Sequence, residues 1–321
     1  MPAPERRALD AFVDRDHARY RAAIARARGF LDALEVDPIE LRAHHIKGKK
    51  KLVEALDAYY RLYQIAAPQD RAGVLERVEA LARSAADDRY HDLLTVDDHQ
   101  FREDATSYLR AAFLLDRMGI DVRRYRAAIV AIKGRLDAHM GERGPHQRRA
   151  FHTYYRHFAL AEPFPLAGAL EQGLIAGKAD PERLSRGDAY GLTHEIFSAY
   201  DFGDALDAEP FRDPEQRYLR GALPRLLALW RAKDDPDLVA ELVTCLRYLR
   251  FTGDPEYAAA LTYLFDRQNP DGSWGSYASA RARLGERVKQ GFYLHTTMVA
   301  IDALTLGFDD LFRRGEGPTC P

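Results

Sequence analysis

The chain has 321 residues, 46% hydrophobic and 30% charged, which suffices for one large core or two modest ones and is too apolar for a disordered chain. Lys and Arg number 47 against 49 Asp and Glu, a net charge of −2, so no global field draws the protein to nucleic acid or anionic lipid. Cys245 and Cys320 are too few for a disulfide framework. The opening MPAPERRALDAFVDRDHARY lacks a secretory apolar stretch, and no run nears the ~18 apolar residues that span a bilayer. A cytoplasmic protein with reduced thiols is expected, with neither membrane nor nucleic acid among its partners.

Apolar residues recur at three- and four-residue spacings, and alternating β-branched runs are nearly absent. The pattern predicts helices at 7–34, 38–64, 70–85, 102–118, 122–140, 147–160, 165–177, 188–201, 214–232, 236–251, 255–268 and 291–306. The basic run His44 to Lys51 has no aromatic interleaving and reads as a solvated helix segment. The pairs Asp87-Asp88, Asp97-Asp98, Asp234-Asp235 and Asp309-Asp310 fall in loops or at helix starts, where carboxylates cap the helix dipole. Neither a glycine-rich phosphate loop nor a G-x-S-x-G elbow occurs.

Taken in pairs, the helices repeat every 40–50 residues or so, the sign of stacked helical hairpins, open as a solenoid or closed as a ring. LTHEIFSAYDFG, AELVTCLRYLRFTG and YLHTTMVAIDALTLG carry few charges on any face, whereas DPEQRYLRGALPRLLALWRAKDD is amphipathic. The former belong inside and the latter outside. The expected fold is all-α, an α/α toroid or barrel of about six hairpins in a single domain over residues 1–321, with 1–66 as a candidate N-terminal appendage.

Gln268-Asn269-Pro270-Asp271-Gly272-Ser273-Trp274 resembles the Q-x-x-x-G-x-W repeat motif of the α/α-toroid superfamily, which includes triterpene cyclases and protein prenyltransferase β-subunits. The resemblance is clear over 255–308 and extends from residue 165 onward. It implies structural roles for Gln268 and Trp274, tying a turn to a neighbouring helix. The acidic D-x-D-D motif of class II cyclases is missing, and Asp97-Asp98 is followed by His99, Gln100 and Phe101, so D-D-x-x-D is missing too. Terpene cyclisation by either route is therefore not expected.

His194, Cys245 and His295 lie 51 and 50 residues apart, each in the start or middle of an inner helix closed by Gly203, Gly253 or Gly307. Three residues on stand Phe197, Tyr248 and Met298. In a ring of six inner helices, the first and third would present Cα atoms roughly 12–13 Å apart, within the span of two imidazoles on one metal. A thiolate and two imidazoles suit Zn²⁺ with an open fourth position, or copper. Prenyltransferase β-subunits offer a precedent by resemblance, holding zinc with different residues.

Asp201 and Asp302 each follow a histidine by seven residues, two turns along the same face, and are candidate catalytic acids. Glu241, one turn before Cys245, is a candidate fourth ligand or an orienting acceptor. His152 and Tyr155, with Phe197, Tyr248 and Met298, would line a pocket for an apolar or aromatic metabolite or a peptide. The leading expectation is a zinc-dependent enzyme with His194, Cys245 and His295 as ligands and a tailoring role in specialised metabolism. A copper oxidase or oxygenase, a metal-free lyase or cyclase working through Asp201 and Asp302, and a non-catalytic repeat module that binds a partner are the rivals.

Overall fold

The computed structural model describes residues 3–39, 48–164, 172–275 and 293–305, with side chains from Ala18 onward. Its α-helices are α1 (Ala3–Asp32), α2 (Gly48–Ile65), α3 (Arg71–Ser84), α4 (Asp98–Arg117), α5 (Arg123–Ala131), α6 (Lys133–Gly141), α7 (Pro145–His157), α8 (Arg186–Ala199), α9 (Asp213–Ala232), α10 (Pro236–Tyr248), α11 (Pro255–Asp266) and α12 (Leu294–Thr305). No strand occurs among the described residues. The chain divides into two compact units, the first of Met1–Asp16 and Val130–Asp266, the second of His17–Ile129 and Arg267–Pro321.

In the second unit α2 is the central helix, with α3, α4 and α12 packed on it. It is therefore no appendage. Lys49, Asp57 and Tyr60 of α2 meet Asp104, Arg110 and Arg117 of α4 in rising order, and Glu54 and Arg61 meet His295 and Thr305 of α12. The three helices thus run parallel. Parallel neighbours need a returning segment, and α3 supplies it between α2 and α4.

The first unit repeats the arrangement with α7, α8 and α10. His146, Arg149 and Thr153 of α7 meet His194, Ser198 and Asp201 on or just after α8, while Arg186, His194 and Tyr200 meet Asp237, Glu241 and Tyr248. Here α9 is the returning helix, buried along Leu219, Leu223, Leu226, Leu227 and Trp230. Every residue of α10 is buried, and its Asp237 and Glu241 carboxylates meet Arg186 and His194. Ser185 and Asp188 form a capping box that starts α8, and Asp97 and Asp235 cap α4 and α10. Asp309-Asp310 lies outside the described residues.

The Gln268–Trp274 turn belongs to the second unit and behaves as the resemblance implies. Gln268 Nε2 donates to the carbonyls of Ala23 and Gly272, each at 2.9 Å, and its Oε1 accepts from Arg26. The Trp274 amide donates to Thr297 Oγ1 of α12 at 3.0 Å, and the Trp274 ring is fully buried. Gly272 has φ +90°, and a Cβ there would collide with the Arg26 carbonyl. Only glycine fits.

Several expected elements differ. The 122–140 helix is broken at Ile132 into α5 and α6. The part of 38–64 before Gly48 includes residues 40–47, which lie outside the described residues, as do 165–171 of the expected 165–177 helix. Residues 174–178 form a turn, because the buried Glu195 carboxylate accepts from the Leu174 and Ile175 amides at 2.7 and 3.1 Å. A side chain has taken the donors a helix would use. The helix stops also differ. Arg250 (φ +60°) turns the chain after α10, and Asp201 (φ +48°) and Phe202 (φ +54°) do so after α8, ahead of Gly203. The Phe251 amide donates to the Leu246 carbonyl and the Arg250 amide to the Arg247 carbonyl, so α10 has a Schellman-type end made without glycine. Gly307 lies outside the described residues.

Candidate functional site

In the second unit the parallel helices carry a seam of charged side chains. The buried Glu54 Oε1 meets His295 Nδ1 at 3.1 Å and Lys50 Nζ at 3.5 Å. Burial pushes the Glu54 carboxyl up, and the bonds and charges of His295 and Lys50 together outweigh it, so the net direction is down. One turn along α2, Asp57 Oδ1 accepts from Arg110 Nε and Nη2 at 2.9 and 2.5 Å. Burial raises the Asp57 carboxyl despite that guanidinium. Arg61 donates to Thr305 Oγ1 at 2.8 Å and Gln64 Oε1 at 3.2 Å.

Asp302 sits on α12 at this level, half-buried, and accepts no hydrogen bond from the described residues. Burial pushes its carboxyl up, Arg61 opposes that, and Asp57 adds to it, leaving the group at about 7. A carboxylic acid that keeps its proton near neutrality can donate it.

The basic run contributes too, contrary to the expectation of a solvated segment. Lys49 is only 6% exposed and pairs with Asp92 at 2.8 Å and with buried Asp104 at 3.3 Å. Pairing is what makes its burial tolerable. His44 to Lys47 lie outside the described residues.

In the first unit, His194 of α8 places Nε2 3.6 Å from Oε1 of the buried Glu241, whose Oε2 accepts from Thr193 Oγ1 at 2.5 Å. The Glu241 carboxylate thus lies at ion-pair distance from His194, beyond hydrogen-bond reach. The His194 ring meets His146 edge-on at 5.9 Å between centroids. Burial and the charge of His194 press His146 down to about 4. Sequence spacing assigned this register position to His152, but that ring lies against Glu162. The difference arises because α7 starts at Pro145, earlier than expected, and His146 falls 48 residues before His194.

Cys245 is fully buried and its Sγ lies 3.9 Å from the Thr193 carbonyl oxygen, as a weak donor. Burial, reinforced by Glu241, pushes the thiol well above its ordinary value. Among the described residues no group of three or more His, Cys, Asp or Glu side chains is arranged to hold a metal ion. His194 and Cys245 belong to the first unit and His295 to the second.

The pocket-lining expectations divide similarly. Phe197 and Tyr248, matched by register, do meet, with ring centroids 5.7 Å apart. Tyr155 is fully buried and donates to Asp137 Oδ1 at 2.8 Å, with Lys133 on the same carboxylate at 2.7 Å. Met298 is half-buried on α12. Asp201 accepts from Thr153 Oγ1 at 2.8 Å in its tight turn, a fixed structural position in a different unit from Asp302. The spacing of the histidines and cysteine did not point to Glu54, Asp57, Arg61 or Arg110. The one signal for the first three was their three- and four-residue spacing on α2, where charge is spread along one face of an otherwise apolar helix.

No described helix is long and apolar enough to cross a membrane. No curated protein matches the chain, and neither does any solved structure. The family model described as "Domain of unknown function (DUF6895)" matches residues 18–305, and the chain belongs to that family.

Proposed function

We propose that the protein is an enzyme whose acid–base chemistry runs along the α2–α4–α12 seam, with Asp302 as the proton donor. The supporting observation is a half-buried carboxyl that accepts no hydrogen bond from the described residues, beside Asp57 and Arg61, and that keeps its proton up to about pH 7. His295, two turns earlier on the same face, is backed by Glu54 and suits the base. Seven residues rise about 10.5 Å, so a small molecule of a few bonds' length can touch both groups. Asp302 would protonate an oxygen or nitrogen at one end while His295 removes a proton at the other. That division fits an elimination or isomerisation of a small metabolite.

The test is turnover of a metabolite extract followed by mass spectrometry. Species consumed by wild type should persist with Asp302→Asn and with His295→Ala. Equal consumption by all three proteins removes the proposal, and no consumption by any of them favours a partner-binding repeat module.

A metal-dependent reading draws on a separate observation. Both expected imidazole ligands, His194 and His295, lie near a buried glutamate in their own unit, a neighbour that can orient a metal-binding histidine. Zn²⁺ or copper would act there as a Lewis acid or redox centre. Elemental analysis of untagged protein tests it. Near-stoichiometric zinc or copper in wild type, lost in the variant of the histidine that holds it, His194→Ala or His295→Ala, is the expected result. The hairpin repeat and the bonded Gln268–Trp274 turn support kinship with the α/α toroids, where enzymes of this kind occur.

A further inference from the structure

A cavity of about 220 Å³ opens in the first unit where α8 and α10 end against the start of α9. Its size falls below the ~300–1,000 Å³ usual for drug-sized ligands, as a small metabolite requires. Tyr200, Tyr248 and Phe251 supply aromatic wall, and Arg220, Arg250, Asp207 and Glu209 supply charge.

The charges are not equivalent. Arg250 Nη2 is already engaged by Asp207 Oδ1 and the Leu206 carbonyl, both at 3.3 Å. Arg220 has no such acceptor among the described residues; its guanidinium lies over the Phe251 ring, 3.9 Å from the centroid. Glu209 likewise makes no hydrogen bond or ion pair there. Tyr200 is only 5% exposed, and its hydroxyl has no hydrogen-bond partner among the described residues. Tyr200 lines this cavity, where its hydroxyl can donate to a guest.

One cation, one anion and one hydroxyl, each uncommitted, therefore border a small space walled by rings. A simple anion would be repelled by Glu209, and a simple cation by Arg220. A molecule carrying both charges meets both groups. We propose that this cavity binds a zwitterion, an α-amino acid with an aromatic side chain. Arg220, its plane held by Phe251, takes the carboxylate in the bidentate manner of guanidinium. Glu209 takes the ammonium, Tyr200 donates to the carboxylate, and the ligand ring packs on Tyr248.

Isothermal titration of the full chain with L-phenylalanine, 3-phenylpropionate and phenethylamine tests this. The amino acid should bind, and each analogue lacking one charge should bind at least about tenfold more weakly. Arg220→Gln and Glu209→Gln should each weaken L-phenylalanine by about tenfold, and Tyr200→Phe by several-fold, with circular dichroism unchanged. No heat from L-phenylalanine or L-tyrosine at concentrations on the order of 10 mM, or affinities equal for the amino acid and 3-phenylpropionate, would overturn the proposal. So would binding indifferent to both Arg220→Gln and Glu209→Gln. Because Asp302 and His295 take no part in this cavity, Asp302→Asn should leave the titration unchanged, which separates this result from the fate of the acid–base proposal.

Discussion

Glu54 and His295 stand 241 residues apart in the chain and meet at 3.1 Å on two parallel helices. The carboxylate is almost fully buried and the imidazole about a third exposed, so each depends on the other differently. Glu54 needs a hydrogen-bond donor to remain ionised inside the unit, whereas His295 gains a fixed ring orientation.

Removing the imidazole leaves the carboxylate buried beside the solvent-facing Lys50. His295→Ala should therefore lower unfolding free energy at pH 7 by ~1–3 kcal/mol, and the Glu54→Gln, His295→Ala cycle should show a coupling of about 1 kcal/mol or more. The sign with pH is set by the direction of the Glu54 shift. A lowered carboxyl contributes stability above its unfolded value of 4.5 and loses it as pH falls through the folded value. Urea unfolding at pH 4 and pH 7 measures both, and additive single-variant effects at pH 7 would show that the two side chains are not coupled.

Asp302 has the opposite sign. Its carboxyl ionises near 3.8 in the unfolded chain and at about 7 in the folded one. Below 3.8 both states hold the proton; between the two values stability declines as pH rises, and above about 7 the full penalty stands. Three units correspond to ~4 kcal/mol, which solvent at a half-buried group reduces to ~1–2 kcal/mol. Asp302→Asn should thus be more stable than wild type by that amount at pH 8 and indistinguishable near pH 4, even as it abolishes turnover. A variant less stable than wild type at pH 8 would mean that Asp302 is a paired structural carboxylate.

Cys245 should behave as a core atom. In a Cys320→Ser background, an aromatic disulfide reagent at pH 8 should label Cys245 only as fast as the chain unfolds, because the thiol is buried and its ionisation is pushed up. Cys245→Ala should cost about 1 kcal/mol, the loss of one small buried group. Rapid labelling of the native protein would instead reveal an accessible thiolate.

Two backbone positions carry opposite expectations. Gly272→Ala places a Cβ against the Arg26 carbonyl at a positive φ and should destabilise by ~2 kcal/mol or more. Ala159, exposed with φ +55° at the end of α7, carries left-handed strain, so Ala159→Gly should stabilise by ~0.5–1 kcal/mol. Thermal unfolding of the two variants checks both signs.

The sequence alone determined that the chain is helical, because three- and four-residue apolar spacing is a local property of each segment. It also pointed to α10 as an inner helix, since apolar residues dominate its length. It marked Gln268 and Trp274 as turn anchors and put Phe197 and Tyr248 in one register, and these contacts do form. What it could not supply was the partner of each charge. Glu54 reads as an ordinary surface glutamate until α12 arrives beside it, and Lys49 looks solvated until Asp104 closes on it. Asp302 acquires its raised carboxyl only from Asp57, Arg61 and the burial around them. A side chain's protonation depends on the field of its neighbours in space, and those neighbours come from segments that no local pattern connects.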